Sequence, residues 1–163
     1  QTITFFIKAL GDFTRSIAQR VEAGQPVTVE GPYGRFQLDR YNRKRSQIWV
    51  AGGVGIAPFL GQLEHLATQP AQRAQNIRLF YCARRNDPSL GKLRELCQRA
   101  DVELQVIDRR QGDALQLEAL HPQAQRTALW YCGPSPLGNQ LGKIWKKLGM
   151  PEQQFYREHF SMR

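Results

Sequence analysis

Val50-Ala51-Gly52-Gly53-Val54-Gly55-Ile56-Ala57-Pro58-Phe59 lies between a strand-like run, Gln47-Ile48-Trp49-Val50, and a helix-like run that continues to Thr68. Three glycines stand where a strand would turn into a helix. Glycine permits a tight turn and lets another molecule approach the backbone closely. Pro58 suits the first position of a helix, where its missing N–H costs nothing. The unpaired N–H groups of a first helical turn, at the positive end of the helix dipole, make a ready site for a phosphate. The stretch points to a nucleotide. A purely structural turn stays open beside that reading. In Gly53-x-Gly55-x-x-Pro58, proline stands where the usual dinucleotide fingerprint has its third glycine.

Outward from this loop, short apolar runs alternate with helix-like segments. Ile48–Ala51, Ile77–Cys82, Val102–Ile107 and Thr127–Cys132 read as strands. Pro58–Thr68, Ser89–Arg99 and Pro136–Leu148 read as helices, with a short one at Leu115–Leu120 and a last strand at Phe155–Phe160. Near-continuous apolar strands alternating with helices predict an α/β fold, a parallel sheet flanked by helices. That domain is expected to cover residues 46–163. The first 45 residues read differently. Thr2–Ala9 and Pro26–Glu30 have strand patterns. Between them, Gly11-Asp12-Phe13-Thr14 opens an amphipathic helix with Thr14 as its N-cap and Ile17 and Val21 on one face. Gly31-Pro32-Tyr33-Gly34 signals a turn, and the basic stretch Arg40-Tyr41-Asn42-Arg43-Lys44-Arg45 reads as an exposed boundary loop. Forty-five residues are too few for a closed barrel, so residues 1–45 are expected to be the last strands of an incomplete one.

Composition narrows the function classes. Of 163 residues, 41% are hydrophobic and 23% charged, which fits a globular domain, and no apolar run reaches membrane-spanning length. Cys82, Cys97 and Cys132 form no CxxC pair and imply reduced thiols in a cytoplasmic setting. Residue 1 is Gln, which points to a processed or excised piece of a longer chain. The net charge of +9 favours anionic partners.

In open parallel sheets, ligands bind at the carboxyl ends of the strands, near the point where strand order reverses. Four segments follow four predicted strands: Gly52–Pro58, Ala83–Pro88, Asp108–Gly112 and Gly133–Pro136. Parallel strands put them all on one edge, where they could frame one nucleotide. Cys132-Gly133-Pro134 is the second signal. A lone Cys is usually a small buried hydrophobe, but here it ends a strand before a Gly-Pro turn, which sets its sulfur at the ligand edge. Asp108-Arg109-Arg110 is the third. An acid after a strand accepts hydrogen bonds from ribose hydroxyls and repels a 2′-phosphate, whereas arginine welcomes that phosphate. A charged loop in solvent is an equal reading. Gly11-Asp12-Phe13-Thr14 is a further helix start that could meet an anion.

Taken in order, Gly11-Asp12-Phe13-Thr14, Gly31-Pro32-Tyr33-Gly34, Gly52-Gly53-Val54-Gly55-Ile56-Ala57-Pro58, Cys132-Gly133-Pro134 and Glu158-His159-Phe160 resemble the ferredoxin–NADP reductase superfamily, its ferric reductase and NADPH oxidase branch in particular. The resemblance implies an FAD-binding barrel followed by an NAD(P)-binding α/β domain. It implies that Gly11, Asp12, Phe13 and Thr14 hold the FAD pyrophosphate. Gly52, Gly53, Gly55, Ile56 and Pro58, with Gly133 and Pro134, would lie under the nicotinamide dinucleotide. Cys132 would stand beside the nicotinamide C4, Glu158 would be the carboxylate near it, and Phe160 the aromatic that covers the flavin. Asp108-Arg109 resembles the pair of NADH-using members, so NADH is favoured over NADPH, although Arg84, Arg85 and Arg110 could meet a 2′-phosphate.

The family's Arg-x-Tyr-Ser-type flavin motif would precede Gly11, and this chain has no counterpart. The expectation is therefore the C-terminal module of a flavin-dependent oxidoreductase that holds FAD only in the full-length protein. There, electrons would pass from NAD(P)H through FAD to a haem, ferric iron or iron–sulfur acceptor. The whole protein would be membrane-associated through an upstream haem domain, with this part on the cytoplasmic face. No nucleic-acid partner and no metal are expected. The rival reading is a basic α/β binding module for nucleic acid or an acidic protein, resting on the charge and on Arg40–Arg45. It leaves the glycine loop unexplained. His65, His121 and His159 are scattered and suggest no hydrolytic triad.

Overall fold

The structure is a computed structural model that describes residues 3–31, 36, 46–69, 76–117, 122 and 126–160, with the backbone alone at 159 and 160. The chain divides into two compact units, Gln1–Arg35 and Phe36–Arg163.

In the second unit, five strands alternate with three helices. The strands are β1 (Ser46–Gly52), β2 (Ile77–Cys82), β3 (Glu103–Ile107), β4 (Thr127–Pro134) and β5 (Phe155–Phe160). The helices are α2 (Ala57–Thr68), α3 (Leu90–Ala100) and α4 (Ser135–Lys147), numbered after a first helix in the other unit. All four strand pairs are parallel, in the order β3-β2-β1-β4-β5. The chain builds outward from β1 to β3, then crosses back to place β4 on the other side of β1. Strand order therefore reverses between β1 and β4.

The apolar runs are continuous because both faces of the sheet are covered. Alternate residues of each strand serve opposite cores. Trp49, Leu79, Tyr81 and Trp130 join Phe59 and Leu63 of α2 and Leu93 of α3 on one face. Ile48, Val50, Phe80, Leu129 and Tyr131 join Leu141 and Trp145 of α4 on the other. Trp130 is fully buried; it stacks on Tyr156 at 4.1 Å and meets Phe36 edge-on at 5.2 Å. Trp145 donates its indole N–H to the Pro151 carbonyl at 3.0 Å, which seats the turn that leads into β5.

The first unit is different. Among its described residues one helix forms, α1 (Asp12–Arg20), and it buries no residue. Among the described residues, neither 3–10 nor 25–31 forms a strand, contrary to the patterns of Thr2–Ala9 and Pro26–Glu30. A strand exists only as one side of a hydrogen-bonded ladder, and these segments have none there. Val21 is 52% exposed and stands just past the helix end, so it does not share a buried face with Ile17. The expected helix at Leu115–Leu120 is also absent over 115–117. The Pro32-Tyr33-Gly34 turn, the Arg40–Arg45 cluster, residues 118–121 and the Phe160 side chain lie outside the described residues.

Candidate nucleotide site at the carboxyl edge of the sheet

The strand ends bring the expected loops to one edge. After β1 the chain does not enter α2 directly. Gly53–Ile56 forms a 3-10 turn, α2 begins at Ala57, and Pro58 is its second residue rather than its first. Proline is tolerated there for the same reason, since the first-turn N–H groups have no intrahelical partner. Gly53 has φ +56°, a left-handed conformation that favours glycine. Gly55 is required for another reason. A Cβ on it would fall on the carbonyl of Cys132 and lie 2.9 Å from the amide nitrogen of Gly133. Gly52 in turn sits against Gly133 and Pro134, where a Cβ would meet Pro134 Cδ at 2.9 Å. The glycine loop and the end of β4 thus interlock backbone to backbone at the strand-order reversal. Tyr131 donates its hydroxyl to the Pro134 carbonyl at 2.6 Å and fixes the turn. Ile56 is buried in the core, so only its backbone can face a ligand.

β4 runs on through Gly133 and Pro134, two residues past its expected end, and this changes the setting of Cys132. Its register partners are Ala51 in β1 and Glu158 in β5. The thiol is fully buried among Ala51, Ile56 and Trp130 rather than standing open at the edge. Burial, and then the Glu158 carboxylate, push its pKa up to about 12. It is a neutral thiol, not a thiolate nucleophile. Glu158 is half-buried beside it, and Phe160 is the register partner of Pro134.

The loops after β2 and β3 form the far part of the edge. Asp108 is only 6% exposed. Its carboxylate accepts the backbone N–H of Arg85 at 3.0 Å on one oxygen and that of Arg110 at 3.1 Å on the other. It ties the two loops together rather than presenting both oxygens to solvent. Asp113 is the acid that carries no sequence motif. Its carboxylate accepts the Asp108 N–H at 3.0 Å and grips the Arg85 guanidinium through both oxygens at 3.0 Å. These contacts, the Asp108 N–H foremost, hold its pKa below the ordinary carboxylate value. Gly112, left-handed at φ +82°, turns the chain so that Asp113 returns toward Asp108. An Asp directly after a left-handed Gly, five residues beyond another Asp, was the available signal.

Beside this arrangement lies a cavity of about 230 Å³, lined among others by Cys82, Arg109, Gly112, Asp113, Leu137 and Gln140. Arg84, Arg109 and Arg110 are exposed, and of the three Arg109 lines the cavity. Burial raises the Cys82 thiol to about 11, against a smaller opposing pull from Arg109. A part-apolar hollow with an arginine and an acid on its wall suits a ribose with its base.

The Gly11–Thr14 segment belongs to the first unit. Gly11, not Thr14, occupies the N-cap of α1. Thr14 is the third helical residue, and its hydroxyl oxygen accepts the N–H groups of Leu10 at 2.9 Å and Gly11 at 3.1 Å. The hydroxyl closes the turn that precedes the helix. Asp12 and Phe13 are exposed, and the Arg20 guanidinium lies over the Phe13 ring.

Over 98% of its length the chain is 26% identical to a protein named 2-halobenzoate 1,2-dioxygenase electron transfer component from Burkholderia cepacia, covering 50% of that protein. Over 51% of its length it is 31% identical to ferric reduction oxidase 8, mitochondrial, from Arabidopsis thaliana, covering 13% of it. The chain spans about half the length or less of these relatives. Its fold is that of the flavohem-like FAD/NAD-binding domain of nitric oxide dioxygenase from Vibrio cholerae O1 biovar El Tor. That match has TM-score 0.74 at 21% identity and covers 92% of this chain and 65% of that one. Residues 49–141, more than half of the chain, match the family described as the oxidoreductase NAD-binding domain, and the chain belongs to that family.

Proposed function

We propose that this chain is the electron-input part of a flavin-dependent reductase. Residues 46–163 are its NAD(P)-binding domain, and residues 1–45 are the end of its FAD-binding domain. When bound, NAD(P)H supplies a hydride that FAD accepts and passes on as single electrons. The observation that carries the reading is the backbone interlock of Gly52, Gly53 and Gly55 with Gly133 and Pro134 at the strand-order reversal. Four of these five residues are glycines, and the 230 Å³ cavity continues the same edge.

Each residue has a part in positioning. Gly53, with open space around it, lets a pyrophosphate approach the backbone, Gly55 lets the loop seat against the Cys132 carbonyl, and Pro58 fixes the start of α2. Gly133 and Pro134 form the opposite lip. Cys132, neutral and fully buried, stands behind this lip rather than on its surface, and half-buried Glu158 supplies the nearby carboxylate. When FAD is bound, Phe160 would be the aromatic that covers the flavin, and Gly11, Asp12, Phe13 and Thr14 would hold the pyrophosphate, as the resemblance implies. Arg84 and Arg109, with the loop that Asp108 holds, frame the adenosine end. NADH is the favoured donor because Asp108-Arg109 resembles the pair of NADH-using members and the Asp113 carboxylate lines the cavity. The acceptor is a haem, ferric iron or iron–sulfur centre, in line with relatives named as an electron transfer component and a ferric reduction oxidase. No helix among the described residues is long and apolar enough to cross a membrane, and a membrane haem domain upstream would place this part on the cytoplasmic face.

Isothermal titration of the folded chain with NADH and NADPH tests the reading. Saturable binding of at least one nucleotide is expected. A folded sample that binds neither at millimolar concentration removes the assignment.

A further inference from the structure

Two acids stand at the end of β3, and they do different work. Asp108, the residue that a strand-end acid would nominate as the ribose partner, is 6% exposed, and each of its oxygens is taken by a backbone N–H of a neighbouring loop. It does not line the cavity. Asp113 does, together with Arg109. Asp113 also holds the one arginine of the β2 loop that is committed to an ion pair among the described residues. A single guanidinium nitrogen, Nη2, donates to both Asp113 oxygens at 3.0 Å, with the arginine side chain 66% exposed and the aspartate 25%.

A 2′-phosphate at this corner would meet the Asp113 carboxylate, which repels it. It would also find the Arg85 charge already countered, because Nη2 of its guanidinium is held between the two Asp113 oxygens. We propose that Asp113, not Asp108, sets the choice between NADH and NADPH, by placing a negative charge on the cavity wall and by holding the Arg85 guanidinium away from a 2′-phosphate. Asp108 is a positioning residue that keeps the two loops in register and serves both nucleotides alike. The inference rests on the nucleotide reading above and deepens it.

The test is titration of the whole chain with NADH and NADPH, in the wild type and four variants. Asp113→Asn keeps an acceptor for the Asp108 N–H and loses the charge. It should tighten NADPH about tenfold while NADH changes less than about twofold, as expected when one charge-assisted hydrogen bond to the phosphate becomes available. Arg85→Ala alone should leave NADPH within about twofold, since Asp113 already holds that side chain. Arg85→Ala added to Asp113→Asn should remove most of the improvement. Asp108→Asn leaves one backbone N–H without its acceptor. It should weaken both nucleotides by the same factor and leave their ratio unchanged.

An unchanged NADPH-to-NADH ratio in Asp113→Asn overturns the proposal. So does a ratio that moves more in Asp108→Asn than in Asp113→Asn. If Asp113→Asn does not fold, Arg85→Ala decides: a marked loss of NADPH affinity shows that Arg85 already reaches the phosphate, and the proposal fails. Wild-type chain that binds neither nucleotide removes the underlying reading and this one with it. Binding with an indifferent Asp113→Asn removes this one alone.

Discussion

Phe5 in the first unit is 59% exposed, and Phe59 in the second is not exposed at all. Ile3, Phe6, Ile7, Phe13 and Val27 share the condition of Phe5, each at least 40% exposed, whereas Trp49, Leu63, Leu93 and Trp130 are buried to 1% or less. The two regions have similarly apolar stretches. They differ in what those stretches face. In the second unit every central strand has a partner on each side and a helix or loop over each face, so alternate side chains find two cores. In the first, the strand-patterned segments have no ladder among the described residues. An apolar pattern states what a segment could bury; only a partner makes it a strand.

Substitutions can break or sharpen this contrast. Trp130→Ala should cost about 3–5 kcal/mol, because it empties a site stacked on Tyr156 and edged by Phe36. Urea unfolding reads it, and a loss below about 1 kcal/mol would mean the second core is looser than its packing implies. Gly55→Ala should cost about 2 kcal/mol or more and weaken nucleotide binding, since the new methyl meets the Cys132 backbone, which cannot swing aside. Gly53→Ala, with open space around it but a left-handed φ of +56°, should cost about 1 kcal/mol. Equal losses at the two glycines would count against the interlock.

The buried thiols give a pH test confined to the second unit. Cys97 and Cys132 are held at about 12, above their ordinary 9.0, by burial. A raised folded-state value means the native form keeps its proton where the unfolded form loses it. Their contribution is whole below about pH 9 and is lost as pH rises toward 12. Unfolding midpoints should fall between about pH 8 and about pH 10, by about 1 kcal/mol per buried thiol at the upper value. Replacing both with Ala should make that slope shallower, leaving the share of Cys82, whose thiol burial raises to about 11, and an unchanged slope would assign it elsewhere. The smallest effect belongs to the first unit: Phe5→Ser should shift stability by less than about 0.5 kcal/mol. A loss comparable to that of Trp130→Ala would show that Phe5 is far better buried in solution than its 59% exposure implies.

The parallel sheet was legible because both of its faces are buried, which writes itself as unbroken apolar runs such as Ile77–Cys82 and Thr127–Cys132. The shared edge followed from parallel strands alone. Less visible were features that depend on which group answers which across space. The pattern at Asp108 and Arg109 told of charge after a strand, not that backbone N–H groups would take both oxygens of the acid. Asp113 carried no motif, and its part depends on the left-handed turn at Gly112. Cys132 was placed at an open edge because the Gly-Pro pair was read as the end of its strand. Paired with β5, the strand continues through both residues and the sulfur is enclosed. Thr14 has the chemistry of a cap, but a hydroxyl at the third helical position can close the same turn from inside.

The place of β1 at the centre of the sheet also bears on how the chain acquires its shape. β1 finds β2 within a short stretch of chain, but its other neighbour, β4, lies roughly eighty residues farther on, as the pairing of Ser46 with Thr127 shows. Until that segment is synthesised, one edge of β1 has no partner, and the glycine loop lacks the backbone against which it is fitted. The seam proposed as the nucleotide edge is therefore among the last parts of the domain to be assembled, so a ribosome-bound chain that has not yet reached β4 should hold β1 and β2 without any affinity for the nucleotide.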